Sequence, residues 1–366
     1  MRNIVILGII TLFFLGCSSN GDRKNKNLLP PASGRAGEII VVMDSAQWKG
    51  PVGEEIRETF RAEVGGLPRE EFMFKINHVD PRKLNDVLKS VKNLLFVMTV
   101  DDRGPGSKVV RNYFTKSSID KIKNDPNLFV HTAEDEFARG QTVMYLFGQN
   151  KNQLLEKIKV NREKLQNFFN QAENKRLYAG LYQAKEEIGF NKMLKADHEC
   201  SMRLPFAYKL VVNQPGFIWF RQINAESDKN IFVTYRPYTS EKAFDREAIL
   251  SLRDSIASHQ LFEDPAYPET FITTETKVPY VPVTTEKVSF NGKYAIKMTG
   301  LWKTNNLSMG GPFISYTLVD EELDRLYYIE GFLYSPGKNQ REFMRELEVI
   351  LSTFKTKDQL TASATN

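Results

Sequence analysis

Two runs near the start of the chain, Ile39–Met43 and Leu94–Met98, are apolar at every position. A strand with one face in water alternates polar and apolar residues, so unbroken runs predict strands covered on both faces by helices. The sequence between and around them supplies those helices. Val52, Ile56 and Phe60 recur at helical spacing, and 71–79 (EFMFKINHV) alternates as a strand through Phe72, Phe74, Ile76 and His78. Asp80-Pro81 then offers an N-cap and a first-turn proline for a helix carrying Leu84, Val87, Leu88 and Val91 on one face. Val109, Val110, Tyr113 and Phe114 mark another helix, and NLFVH and TVMYLFG two more strands. Strands alternating with helices over 38–150 predict an α/β N-terminal domain with a mixed, partly parallel sheet.

Residues 151–186 have few helix breakers, with Leu154, Ile158, Leu165, Phe168, Phe169 and Ala172 forming one stripe. Unbroken, such a helix runs about 50 Å at 1.5 Å per residue, long enough to connect two domains. The second half reads differently. AYKLVV, GFIWFRQI and NIFVTYR are strands in quick succession, followed by a helix with Ala248, Ile249, Leu252 and Ile256 on one face. Asn291-Gly292 is a two-residue hairpin signal, and a second hairpin folds around the acidic turn Asp320–Asp324 before a final helix over 343–354. Strands in runs, with helices set apart, predict an α+β domain over 187–355, an antiparallel sheet with helices on one face. Residues 356–366 read as a disordered tail and 18–37 as a flexible tether.

The chain of 366 residues is long enough for two cores. Its 50 Lys and Arg are interleaved with 45 Asp and Glu for a net charge of only +5, with no basic stripe, which argues against nucleic acid as a partner. The apolar run Ile4–Leu15 is too short to span a bilayer and follows Arg2, the pattern of a secretory signal. It ends at Gly16-Cys17, and the only other cysteine is Cys200. The stretch FFLGCSSNGD resembles a bacterial lipoprotein signal. That resemblance implies cleavage after Gly16, acylation of Cys17 and anchoring to a membrane through the N-terminal acyl chains, with Phe14 standing where the pattern usually has leucine. By the sorting rules of such lipoproteins, Ser18 favours the outer membrane. Asp22, alone among Arg23, Lys24 and Lys26, favours the periplasmic face over the cell surface.

Three places carry candidate chemistry. Asp44, Asp80 and the pair Asp101-Asp102 each follow a predicted strand, so parallel strands would gather Asp44, Asp80 and Asp101 at one sheet edge. There they either hold Mg²⁺ and act as acid and base in a metal-assisted hydrolase, or cap the helices that follow. In ADHEC, His198 and Cys200 share a face if the segment is extended, giving two ligands for a metal site that has no third. The alternative is a buried thiol. The most distinctive segment, 300–317, places Trp302, Met309 and Phe313 around Gly310-Gly311-Pro312, read as a rigid turn leading into a strand. It either presents backbone and an aromatic wall to a ligand or partner, or is a wide hairpin connection. No cofactor fingerprint, Gly-x-Ser-x-Gly elbow or HExxH occurs.

PFAYKLVV, GFIWFRQ, LSLRDSI, GLWKTNNLSMGGPFISY and YYIEGFLYSPGKNQREFMRELEVIL resemble a family of Bacteroidetes envelope lipoproteins classed as a domain of unknown function. The closing strand-turn-helix is also loosely similar to the PsbP/Mog1-type sandwich, whose members are mostly binding or assembly factors. These resemblances imply an envelope lipoprotein and transfer no catalytic residue. Together with the motif survey they favour a non-enzymatic module binding an envelope protein partner. The alternatives are a small-ligand binder in a cleft between the domains, or the hydrolase described above.

Overall fold

A computed structural model describes residues 28–183, 185–261, 267–279 and 281–364. Cys17 and the signal segment lie outside the described residues.

The N-terminal half contains β1 (Glu38–Val42), α1 (Ser45–Trp48), α2 (Pro51–Phe60), β2 (Lys75–Val79), α3 (Asp86–Lys89), β3 (Asn93–Thr99), α4 (Pro105–Arg111), α5 (Lys116–Asn124), β4 (Val130–Glu134), β5 (Thr142–Gly148), α6 (Lys151–Val160) and α7 (Arg162–Gln183). The strands form a mixed sheet in the order β2-β1-β3-β5-β4, parallel except for the edge strand β4. The unbroken apolar runs are explained by their two covers. Ile39, Val41, Leu95 and Val97 face a core with residues of α2, α6 and α7, while Ile40, Val42, Leu94 and Phe96 face one with Val110 of α4 and Ile122 of α5.

The chain continues with α8 (Ile188–Asp197), β6 (Lys209–Gln214), β7 (Phe217–Ile223), β8 (Asp228–Pro237), α9 (Arg246–Gln260), β9 (Ile272–Glu275), β10 (Thr284–Phe290), β11 (Lys293–Thr304), β12 (Gly310–Asp320), β13 (Arg325–Tyr334), α10 (Arg341–Leu351) and α11 (Lys357–Ala364). β6–β8 and β10–β13 form an antiparallel sheet in the order β10-β11-β12-β13-β8-β7-β6, with β9 paired to β11. Pleating sends Tyr327, Ile329 and Leu333 to a core with α8 and α10, and Tyr328 and Phe332 to a core with α9. The expectation of helices on one face therefore holds for α8 and α10, while α9 covers the opposite face. Asn291 and Gly292 both adopt positive φ, +50° and +86°, as their hairpin turn requires.

Several local expectations are corrected. The single helix expected over 84–91 is a 3₁₀ turn, Pro81–Lys83, followed by the short α3. Leu84 turns extended, and the Asn85 side chain accepts from the Leu88 N–H, starting a new helix. The long connector breaks at Asn161, whose side-chain amide donates to the Lys157 carbonyl and closes α6. Within the tail over 356–366, read as disordered, residues 357–364 form α11: the Gln359 side chain accepts from the Thr356 N–H at 3.0 Å, and the buried Asp320 carboxylate accepts from the Lys357 N–H at 2.7 Å. The tether is pinned before residue 37. Ala32 N–H donates to the Arg139 carbonyl and Arg139 N–H to the Pro30 carbonyl, both at 2.8 Å, and Ser33 N–H donates to Ser90.

Candidate functional site

Parallel β1, β2 and β3 do bring carboxylates to one edge of the N-terminal sheet, but each is already engaged. Asp44 accepts from the N–H of Ala46 at 2.9 Å and of Gly106 at 2.8 Å. Asp80 accepts from Ser45 Oγ, the Arg82 N–H and the Arg82 guanidinium. The third member is Asp102 rather than Asp101. Its carboxylate accepts from the Gly104 N–H and Ser107 Oγ, while Asp101 is exposed to solvent. A Cβ added at Gly104 or Gly106 would lie 2.7 or 2.8 Å from Asp44 Oδ2, so the helix start is packed onto that carboxylate. For Asp44 and Asp80 this is helix capping, while Asp102 closes the turn that leads into α4. Among the described residues no group of three or more His, Cys, Asp or Glu side chains is placed to hold a metal ion.

ADHEC is not extended. His198 closes α8, Glu199 takes positive φ, and Cys200 is buried. His198 Nε2 lies 2.7 Å from Asn213 Oδ1, and burial pushes the Cys200 thiol far above its ordinary range. The pair is part of the core beneath α8, and burial keeps the thiol protonated and unreactive.

Segment 300–317 belongs to β11, a turn over 305–309, and β12. Gly310-Gly311-Pro312 is thus strand and not turn, which corrects the sequence reading. Its glycines serve close packing. A Cβ at Gly311 would lie 2.0 Å from the Leu333 carbonyl oxygen, which also accepts from Trp302 Nε1 at 3.1 Å. Trp302 is buried. The segment nevertheless borders two clefts.

The first opens beside the C-terminal end of α9. It measures about 660 Å³, and Trp219, Trp302, Met309, Phe332 and Tyr334 are among its lining residues. A polar row crosses its floor. Arg221 pairs with Asp228 through two hydrogen bonds of 2.9 and 2.5 Å, Asp228 accepts from Asn230 Nδ2, and Asn230 Oδ1 accepts from Trp219 Nε1. The sequence reading missed this row. Strand alternation in FIWFRQI and DKNIF, joined by the short turn 224–227, puts Trp219 and Arg221 on the same face as Asp228 and Asn230, and was the available signal.

The second cleft, of about 370 Å³, lies between the domains and reaches Phe313 and the face of α7 carrying Asn167, Asn170, Gln171 and Asn174. Its walls are held by polar links. The Glu71 carboxylate of the N-terminal domain accepts from the backbone N–H of Gln340 at 2.6 Å and of Arg341 at 3.0 Å, capping α10 from across the interface. Arg341 donates to the Phe72 carbonyl, and Arg345 to the Asn170 and Asn174 side-chain oxygens. Arg253 instead stacks on Phe313 from inside the sheet, 3.9 Å from its centroid, and pairs with Glu330 in full burial.

Comparison with known proteins gives families without assigned function. Residues 32–182 match the family described as "Domain of unknown function (DUF8532)", and residues 188–353 match "Domain of unknown function (DUF4837)". The two matches meet where α7 gives way to α8. No curated protein matches the chain. Among solved structures, the Saccharomyces cerevisiae Ran-binding protein Mog1p is 11% identical, aligning 43% of this chain with 90% of that one at a TM-score of 0.27. A mutant of Mog1 is also 11% identical, aligning 44% with 93% at 0.26. Human StAR-related lipid transfer protein 5 is 9% identical, aligning 53% with 99% at 0.22. Likeness at these scores carries no argument about fold or function.

Proposed function

We propose that the protein is a lipid-anchored envelope module of the Bacteroidetes type, acylated at Cys17 and held at the periplasmic face of the outer membrane, which binds a partner protein through the C-terminal cleft. The observation supporting a binding role is the make-up of that cleft. Trp, Tyr, Phe, Met and Arg are the residue types enriched where proteins dock, and here they surround a concavity beside the edge strand β6. The polar row on its floor is satisfied internally, so a partner's apolar side chain can enter without stranding a buried donor.

The test is affinity capture from envelope membranes with the full-length chain, comparing wild type with Tyr334→Ala and Met309→Lys. Both positions are partly exposed at the cleft, unlike Trp302 and Gly310, whose replacement would disturb the sheet itself. A protein that is crosslinked to the wild-type cleft and lost from both variants supports the reading. Capture unchanged by either variant refutes it.

A second reading is favoured by one observation. Asn167, Asn170, Gln171 and Asn174 recur at helical spacing along the interdomain cleft opposite Arg345. Such an amide row suits a small ligand bearing hydroxyls or carboxylates. Native mass spectrometry of the chain isolated from membranes, against Gln171→Leu, would show a bound mass lost in the variant.

A further inference from the structure

The two ends of the C-terminal sheet differ in chemistry. The register places the end of β7, the start of β8, the end of β13, the start of β12, the end of β11 and the start of β9 at one end. Exposed apolar side chains gather there. Ile223 ends β7, Phe271 precedes β9, and Leu307 tips the β11–β12 turn. Phe206 joins them ahead of β6, its carbonyl accepting from Gln222 Nε2, and Ile188 lies next to Glu187, which pairs with Leu204 and Ala207. These five side chains are 39 to 71% exposed. Scattered singly they would be ordinary surface; gathered at one end of a sheet they make an apolar rim. The opposite end carries Pro215-Gly216, Asn291-Gly292 and the carboxylates of Glu321, Glu322 and Asp324, with Tyr294 as its one large exposed apolar side chain among the described residues.

The apolar end is also on the side where the N-terminal segment leaves the fold. Gly37 packs against Arg341, which opens α10 just after β13 ends at the apolar end. From Gly37 the segment crosses the start of β3 at Ser33–Val91 and reaches Arg139, ahead of β5, at Pro31. That is two strand spacings, about 10 Å, from β1. The thirteen residues from Cys17 to Pro30 span at most about 45 Å. An acylated Cys17 therefore keeps the point where this segment leaves the fold within about 45 Å of the bilayer.

We propose that the apolar end of the C-terminal sheet rests on the lipid surface, with Phe206 and Ile223 entering the headgroup region. This rests on the anchor reading above. Contact is apolar rather than electrostatic, since Lys338 near Ile223 already pairs with Glu226. The opposite end, where Arg236, Lys293 and Arg325 stand among the carboxylates, then points away from the membrane.

The experiment uses the full-length chain, purified from membranes and reconstituted into phosphatidylethanolamine–phosphatidylglycerol vesicles carrying a nitroxide-quencher lipid. A thiol-reactive fluorophore is placed at Phe206→Cys, at Ile223→Cys, which leaves Phe206 in place, and at Glu321→Cys. Cys200 is fully buried, so wild-type labelling reports Cys17 alone. The expected result is no label on wild type and at least threefold stronger quenching at 206 and 223 than at 321. A blocked Cys17 with equal quenching at both ends, or stronger quenching at 321, overturns the membrane-facing assignment and leaves the anchor standing. A labelled Cys17 overturns the anchor, and this proposal with it.

Discussion

Two carboxylate settings, the edge of the N-terminal sheet and the buried Glu330 of the C-terminal sheet, behave in opposite ways. At the N-terminal sheet edge, Asp80 and Asp102 stand where helical turns begin and receive their hydrogen bonds locally. The Arg82 guanidinium, more than offsetting burial, holds the Asp80 carboxyl well below its usual range, with Ser45 assisting. Burial pushes Asp102 up, but the Ser107 hydroxyl, the Gly104 N–H and the nearby Lys151 charge outweigh it and leave the group below its usual range. In the C-terminal domain Glu330 is sealed between the sheet and α9. There burial dominates and raises its pKa even with Arg253 beside it. A carboxylate at a sheet edge finds donors that a helix start leaves unpaired anyway, whereas one in a core must bring its own counter-charge and still loses water. The opposite shifts dictate opposite pH behaviour. The stabilisation from Asp80 and Asp102 is present above the ordinary value of 3.8 and is lost as pH falls through their lower folded values. The Glu330 contribution is fullest below 4.5 and shrinks as pH rises through its higher folded value.

The sharpest way to break the contrast is to remove one partner of the buried pair. Arg253→Met leaves Glu330 in the core without its cation, and the expected loss is about 3–5 kcal/mol, read as a fall in the urea midpoint. Replacing both, Arg253→Met with Glu330→Leu, should recover most of that. Tyr328, whose hydroxyl donates to Glu330 at 2.5 Å, and Thr274, which accepts from Arg253 at 2.8 Å, would lose partners, leaving a deficit of about 1–2 kcal/mol. A double variant as unstable as the single one would mean that the pair's packing, not its charge, sustains the α9 layer.

The contrast also shows what a sequence exposes. The N-terminal sheet was readable because both-face burial writes itself as unbroken apolar runs, and because Asp44 and Asp80 sit within two residues of a strand end, where caps belong. The break at Asn161 was not, since it depends on one side-chain hydrogen bond; the start of α11 was half legible, in the Thr356-x-x-Gln359 spacing, while its other tie comes from Asp320, distant in sequence. Arg253 reads as an ordinary charge within a helix. Only the sheet it meets, with Glu330 and Phe313 brought together across β12 and β13, makes it a core residue. For the candidate site, Trp302 and Met309 were found by composition and do border a cleft, but the polar half of that cleft comes from β7 and β8, which look like plain core strands.

At the edge the effects are smaller, and acid titration separates them. Asp80→Asn keeps the shape and removes the charge paired with Arg82, so the variant should lose less stability than wild type between neutral pH and pH 3. A Glu330→Gln variant should instead lose the wild-type decline between pH 4.5 and neutrality. If both variants titrated like wild type, the two carboxylates would not carry the pH dependence assigned to them.

The smallest effect discriminates between neighbours. Asp102 accepts from Gly104 N–H at 2.9 Å and Ser107 Oγ at 2.6 Å, and its backbone carbonyl holds Arg111 at 3.0 Å. Asp101 turns to solvent. Asp102→Ala should therefore cost about 1 kcal/mol or somewhat more, the net worth of the hydrogen bonds its carboxylate accepts, while Asp101→Ala should stay within about 0.5 kcal/mol of wild type. Thermal melts of the pair decide it. Equal losses would put Asp101 back among the groups organising that edge, where its position two residues past β3 would otherwise place it. A larger loss at Asp101 would mean that the edge holds something its hydrogen bonds to protein do not account for.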